Sequence, residues 1–230
     1  TDMRRIPEAR GRFDQAEGLY PGDAEVQFRL GAFLAAEALP QSAGTDFRND
    51  PSTKEATWRS IYDKAVRHLE RSVSLQSDQA EAHRVLLYLH LRAGEYALAI
   101  QSGQRTLAKD SRDAASRYNL GLAYYYSRQY AQARTHFQEV LRAHPNTEYA
   151  RLFFANACMR LGDLDVAIEN FNRVLEQNSA NSEAHVNLWR IYSARGESDA
   201  ARTHQARACA TGVPEACQDC EGCDERARPD

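Results

Sequence analysis

The sequence predicts an all-α solenoid, a stack of antiparallel helix pairs. Three observations carry that expectation. A 34-residue unit recurs without gaps over residues 80–113, 114–147, 148–181 and 182–215. Within each unit the apolar residues fall at helical spacing, in two runs separated by a short turn. Ala supplies 36 of the 230 residues, against only 12 Gly and 7 Pro. Ala is the strongest helix former and fills little space, so thin helices with small, distributed cores are expected rather than one large core. A supersecondary unit of this size cannot bury its apolar face alone and gains stability by stacking on its neighbours.

Each element follows from positions within the unit, numbered 1 to 34. Position 7 is Leu86, Leu120, Phe154 and Leu188, a large apolar residue on the first helix. Position 20 is Ala99, Ala133, Ala167 and Ala201, small enough for the second helix to approach the first. Position 15 is Gly94, Arg128, Gly162 and Gly196, where a residue in the left-handed region ends the first helix. Position 8 reads Leu87, Gly121, Ala155 and Trp189. A Trp there needs more room, so altered packing is expected around the last unit. The N-terminal third fits the same register once an insertion is allowed. Residues 24–79 form a unit with Leu30 at position 7 and Ala65 at position 20, interrupted by 22 residues around 38–60. Pro40, Gly44 and Pro51 break helices, so a solvated loop is expected there, partly helical near 53–60. The other reading is a partner-contacting arm carrying Phe47 and Trp58. Residues 1–23 match a second helix alone, and residues 216–230 form a Cys-bearing cap and tail. A half unit at the start, beginning with Thr1, points to a chain that begins inside a longer precursor or has been trimmed, which leaves open the loss of a signal peptide or lipid anchor.

This pattern resembles the tetratricopeptide repeat family, on the period and on positions 7, 15 and 20 together, and departs from it at position 8, usually small in that family. The resemblance implies a right-handed superhelix whose first helices line a concave face through positions 2, 5, 9, 12 and 13. Carried onto this sequence, those positions give Phe28, Arg84, Tyr88, Leu91, Tyr118 and Leu122. Further along they give Tyr125, Tyr126, Tyr149, Leu152, Asn156, Met159 and Arg190. The implied groove is rich in Tyr, a residue that anchors partners by joining contact area to a hydrogen-bonding tip. Asn156, with Asn119 beside the groove positions, is placed to hold a peptide backbone.

No Walker loop, G-x-G-x-x-G or H-E-x-x-H motif occurs, and no enzyme activity or cofactor is predicted. His68, His136 and His204 share position 23 but belong to alternate units, too far apart to ligate one metal ion. They are expected to be exposed polar residues on the outer face. His90 and Cys158, both at position 11, are expected in the core. The net charge of −3 argues against a general nucleic-acid binder. No run of about 18 apolar residues is present to span a membrane.

Cys209, Cys217, Cys220 and Cys223 cluster near the C-terminus. As a C-x7-C-x2-C-x2-C array they offer a four-thiolate metal site, and free thiols are a further reading. The segment "ACATGVPEAC" also resembles the cysteine pair of Sel1-like repeats, which implies a Cys209–Cys217 disulfide. Such a bridge would staple the cap to the array and place the chain in a periplasm or other extracytoplasmic compartment; the alternative is the cytoplasm. The expected function is a non-enzymatic scaffold that binds a protein segment or extended peptide within a larger complex. The competing readings are a metal- or redox-responsive module built on the Cys cluster, and an envelope-complex subunit that binds through its insertion and convex face.

Overall fold

The computed structural model describes residues 5–38, 55–76 and 79–217. Among these residues it contains twelve helices and no strand. They are α1 (Arg5–Leu19), α2 (Ala24–Ala38), α3 (Glu55–Leu75), α4 (Ala80–Ala93), α5 (Tyr96–Lys109) and α6 (Ala114–Tyr126), followed by α7 (Tyr130–Ala143), α8 (Glu148–Leu161), α9 (Leu164–Gln177), α10 (Ser182–Arg195), α11 (Ser198–Ala210) and α12 (Pro214–Cys217). The period is visible in where helices begin. First helices start at Ala80, Ala114, Glu148 and Ser182, each 34 residues after the last, and second helices at Tyr96, Tyr130, Leu164 and Ser198.

The contacts define two compact units, Thr1–Ala123 and Tyr124–Asp230. In the N-terminal unit α2 pairs with α3, α3 touches α4, α4 pairs with α5, and α1 lies on α2. Its core joins Leu30, Leu34, Tyr62, Leu69, Leu86 and Leu89. Gly31, at position 8, has no side chain for a packing reason. A Cβ there would sit 2.7 Å from Leu69 Cγ and 3.1 Å from the Leu69 backbone nitrogen. In the C-terminal unit α7 through α11 pack each on the next, and α12 closes on α11. Its core joins Leu152, Cys158, Phe171, Val174, Leu188 and Ile191. The small residue at position 20 is fully buried at Ala65, Ala99, Ala133 and Ala167, as close helix approach requires.

The turn after each first helix is closed by one device. Gly94, Gly162 and Gly196 have φ of 75°, 87° and 74°. The following residue donates its N–H back into the helix, as in Glu95 to His90 O at 2.9 Å and Asp163 to Cys158 O at 3.0 Å. Arg128 holds the same position with φ 64°, and Gln129 N reaches Tyr124 O at 2.8 Å. The period therefore imposes the left-handed turn even on a residue whose Cβ resists it. That conformation costs a non-glycine residue about 1–2 kcal/mol. Glycine recovers most of this but loses about 0.5–1 kcal/mol through the freer unfolded chain. Arg128→Gly is therefore expected to stabilise the chain by about 0.5–1 kcal/mol. Urea denaturation measures it; a lower midpoint would show that the exposed Arg128 side chain contributes more than the turn costs.

One reading needs correction. The second helix of the 24–79 unit starts at Glu55, inside the 53–60 stretch expected to be partly helical, so α3 is 21 residues long. Trp58 lies inside it, stacked on Tyr62 at 5.1 Å and packed against the core, so it is not presented on an arm. Phe47 and the rest of 39–54 lie outside the described residues. The altered packing expected at Trp189 is present and has a clear cause. Position 8 normally faces a neighbouring helix, but after the last unit only the single-turn α12 follows among the described residues. Trp189 fills the space, packing with Val186 and Val213 on Ala208, Cys209 and Ala216.

Candidate functional site

The implied groove residues separate into exposed and buried groups. In the N-terminal unit, Arg84 reaches Asp113 Oδ2 at 3.0 Å and Glu81 Oε1 at 3.1 Å. Burial pushes the Asp113 carboxyl up, but hydrogen bonds from the Ser116 hydroxyl and backbone outweigh this and hold it below its ordinary value, with help from Arg84. Phe28 packs partly against the core. Tyr88 and Tyr118 are half-buried, whereas Leu91 and Leu122 are buried. Those two leucines, and Leu152 in the C-terminal unit, are packing residues rather than groove lining.

The C-terminal unit contains a cleft of about 340 Å³ formed by α8, α10 and the end of α6, with Val213 at its edge. Tyr125 stands at one wall, its ring edge-on to Tyr126, Tyr130 and Phe153 at 5.4–5.6 Å. Burial, and then the Glu183 carboxylate, push its hydroxyl up to about 12. Met159, Arg160 and Arg190 line the remainder. Arg160 lies 4.9 Å over the Tyr130 ring, and Arg190 is exposed, 3.4 Å from Glu215. Tyr149 is 62% exposed.

Asn156 is not free on the surface as the sequence implied; it is 2% exposed. Its Nδ2 donates to Glu183 Oε1 at 2.7 Å, and its Oδ1 accepts from Asn187 Nδ2 at 2.8 Å. The three side chains form a hydrogen-bonded chain across α8 and α10 at the cleft floor. Asn187 escaped the sequence reading because its position, 6, is not one that the resemblance assigns to the groove; Glu183 is at position 2, a groove position, but was not among the residues named there.

A second feature was also misassigned. Position 23 is not an exposed outer face. His68, His136 and His204 are all half-buried. His68 Nδ1 lies 2.8 Å from Gln27 Oε1, Asn170 Oδ1 accepts from Arg151 at 3.2 Å, and His204 Nδ1 lies 2.9 Å from His185 Nδ1. Gln27, Arg151 and His185 are all at position 4, so each of these units carries a buried polar rung between its helices. The tautomers of the last pair follow from their partners. His185 Nε2 donates to Ser179 O at 3.1 Å, so His185 Nδ1 accepts and His204 Nδ1 donates. Burial, then the neighbouring His185, lowers the pKa of His204; burial also lowers that of His185, against its bond to the Ser179 carbonyl. In the 80–113 unit the rung positions are His83 and Ser102, both buried, and His83 Nδ1 has no hydrogen-bond partner. Burial and Arg105 lower its pKa too. The rung was legible only by reading positions 4 and 23 together.

His90 and Cys158 are buried as expected. His90 Nδ1 lies 3.0 Å from the Tyr62 hydroxyl and 3.1 Å from Glu95 Oε2, while Tyr62 also donates to Glu95. Burial raises the Tyr62 hydroxyl, with its Glu95 partner adding to the effect. It also pushes Glu95 up, but the bonds from Tyr62 and His90 prevail and hold its carboxyl low. Burial pushes the Cys158 thiol up to about 11, so it is unreactive as a thiolate at neutral pH. Cys209 and Cys217 lie at disulfide distance, with Cα atoms 4.9 Å apart. Cys220 and Cys223 lie outside the described residues. No group of three or more metal-ligating side chains occurs among the described residues, and no described helix is long and apolar enough to cross a membrane.

A tetratricopeptide repeat family model matches residues 61–114, 118–182 and 154–215. Among curated proteins the chain is similar to peptidyl-prolyl cis-trans isomerase FKBP4 of Homo sapiens, 26% identical over 166 residues. That alignment takes in 66% of this chain and 36% of the relative, so the chain spans little more than a third of that protein's length. Among solved structures it is similar to YrrB, a tetratricopeptide protein with an unusual peptide-binding site, at a TM-score of 0.69 and 18% identity over 87% of this chain and 92% of that one. It is also similar to PilW, a type IV pilus biogenesis factor, at 0.62 and 17% over 89% and 84%. MamA gives 0.63 and 20% over 70% and 94%. At these identities the likeness is one of fold.

Proposed function

The chain belongs to the tetratricopeptide repeat family, and we propose from that premise that it is a non-enzymatic scaffold that holds an extended peptide segment of a partner protein within a multi-subunit assembly. The C-terminal cleft is the contact we assign to it. The observation that carries this is the Glu183–Asn156–Asn187 chain at the floor of an open cleft walled by Tyr125 and Met159. Carboxamides offer a donor and an acceptor side by side, the pattern a peptide group presents. Their mutual hydrogen bonds fix their orientation before any ligand arrives, which lowers the ordering cost of binding. Arg190 and Tyr125 supply a charged and an aromatic anchor at the edge. Tyr88 and Tyr118 offer similar chemistry on the N-terminal unit. YrrB shares the fold and has a peptide-binding site, which supports the reading.

Peptides selected from a random display library against the full chain test it. Tyr125→Ala with Arg190→Ala is expected to weaken their binding at least about tenfold, a loss of about 1.4 kcal/mol, with the helical circular dichroism unchanged. Unaltered affinity would remove the cleft from the proposal. We also propose that Cys209 and Cys217 form a cystine that holds α12 in place, and that the chain works in a periplasm or other oxidising compartment. The distance between the two residues supports this. Intact mass before and after reduction checks it, with free thiols in the unreduced protein as the opposing result.

A further inference from the structure

The C-terminal cleft is electrically asymmetric, and helical register sets the asymmetry. Glu183, Val186, Asn187 and Arg190 are spaced i, i+3, i+4 and i+7, so they form one stripe along α10. On α8, Asn156, Met159 and Arg160 follow the same pattern at i, i+3 and i+4. Both are first helices of successive units and run in the same direction, and Asn156 is tied to both Glu183 and Asn187. The two stripes are therefore in step. A carboxylate stands at the N-terminal end of the cleft, amides and apolar side chains fill the middle, and two guanidinium groups stand at the C-terminal end.

Each end has capacity left for a ligand. Glu183 is exposed and engages Asn156 through Oε1 alone. Arg160 is exposed and lies 4.9 Å over the Tyr130 ring, with no carboxylate at ion-pair distance among the described residues. Arg190 faces Glu215 at 3.4 Å, with side chains 59% and 72% exposed. An ion pair so open to water contributes little, so an incoming carboxylate displaces Glu215 at small cost. Between the ends, Met159, Val186 and Val213 are half-buried and line the cleft with the surface they keep. The separation of the ends sets the spacing of a ligand's charges. From Glu183 to Arg190 the helix rises about 10.5 Å. A polyproline-type peptide covers about 9 Å in three residues and returns residues i and i+3 to the same face.

We propose that this cleft selects an extended segment with a Lys or Arg and a Glu or Asp three residues apart and an apolar side chain between them. The basic side chain meets Glu183, the acidic one meets Arg190 and Arg160, and the apolar one rests on Met159, Val186 and Val213. This assignment rests on the C-terminal cleft being the peptide site proposed above. Opposed ends discriminate by repulsion as well as attraction. A uniformly acidic segment is repelled at Glu183, and a uniformly basic one at the two arginines. The charge pairing also fixes the register of the segment along the cleft.

Fluorescence anisotropy on the full chain provides the test. The probes are two labelled, end-capped peptides of about eight residues, one with Lys three residues before Glu and one with the order reversed, each with Leu between and Ala elsewhere. The controls are permutations with Lys and Glu adjacent, and versions with two Lys or two Glu. At least one probe is expected to bind about fivefold tighter than its permutation and its like-charged versions. Glu183→Gln keeps an acceptor for Asn156 and removes the charge. In that variant, exchanging the probe's Lys for Gln should change affinity less than about twofold, against about threefold to fivefold in the unaltered chain. Arg190→Gln should shrink the effect of exchanging the probe's Glu for Gln in the same way. Equal affinity for probe and permutation overturns the proposal, as does an absence of binding at about 1 mM peptide. Exchanges that keep their full effect in the two variants overturn it too. Failure of the cleft itself reads differently. Equal binding of probe and permutation that is lost in Tyr125→Ala with Arg190→Ala rejects the charge preference and keeps the site, whereas binding untouched by that double variant rejects the site.

Discussion

Reducing the proposed Cys209–Cys217 cystine, or replacing Cys217 with serine, is expected to lower the stability of the C-terminal unit by about 2–3 kcal/mol. The two residues are 8 apart in sequence. For so short a loop the entropy removed from the unfolded chain is near the low end of what a disulfide supplies. The effect is still large here because α12 is one turn long and cannot persist without tertiary support. Once released, it uncovers Ala208 and Ala216, both fully buried, and one side of Trp189. For a unit of about this size the melting temperature should fall on the order of 10 °C. Thermal melts followed by circular dichroism, with and without reductant, measure this. Melting temperatures that agree within a degree or so would show that the cap holds without its bridge.

Acidification is expected to destabilise the chain as pH falls below about 6.5. His83, His185 and His204 all have folded pKa values lowered from an ordinary 6.5, in each case first by burial. As pH falls through 6.5 the unfolded chain takes up protons before the folded one, so stability drops, and it levels off below the folded values. Above that range all three are neutral in both states and contribute no slope. The carboxylates held low, Glu95 and Asp113, act in a different window, because their ordinary values are 4.5 and 3.8 and their contribution is lost only below these. Denaturant midpoints at pH 7.5 and 5.0 isolate the histidines. His185→Gln with His204→Phe should flatten the profile, since Phe keeps the stacking on Tyr192 without a titrating nitrogen. A wild-type midpoint unchanged over that interval would contradict the account.

Much of the fold was legible because the physics at positions 7, 15 and 20 admits few residues. Ala99, Ala133 and Ala167 had to be small, and Gly94, Gly162 and Gly196 had to turn left-handed, so period and packing coincide. Arg128 broke the residue pattern but not the geometry, which shows that neighbouring repeats dictate the turn. The site was less legible. Leu122, Leu152 and Asn156 were placed on an open face by position, but how deeply a side chain sits depends on what its neighbours leave uncovered, which a single repeat does not specify. His204 looked exposed because its partner, His185, lies 19 residues earlier on another helix. The helical end of the insertion was legible near 53–60, where α3 begins at Glu55.

The two tryptophans of the chain fall one in each compact unit, Trp58 on Tyr62 and Trp189 beneath the cap. Their emission therefore gives a built-in optical readout of each half. With Trp58→Phe or Trp189→Phe, one chain becomes two single-reporter proteins. Comparing their denaturation curves would then reveal whether the repeats melt as one cooperative block or lose their ends in sequence.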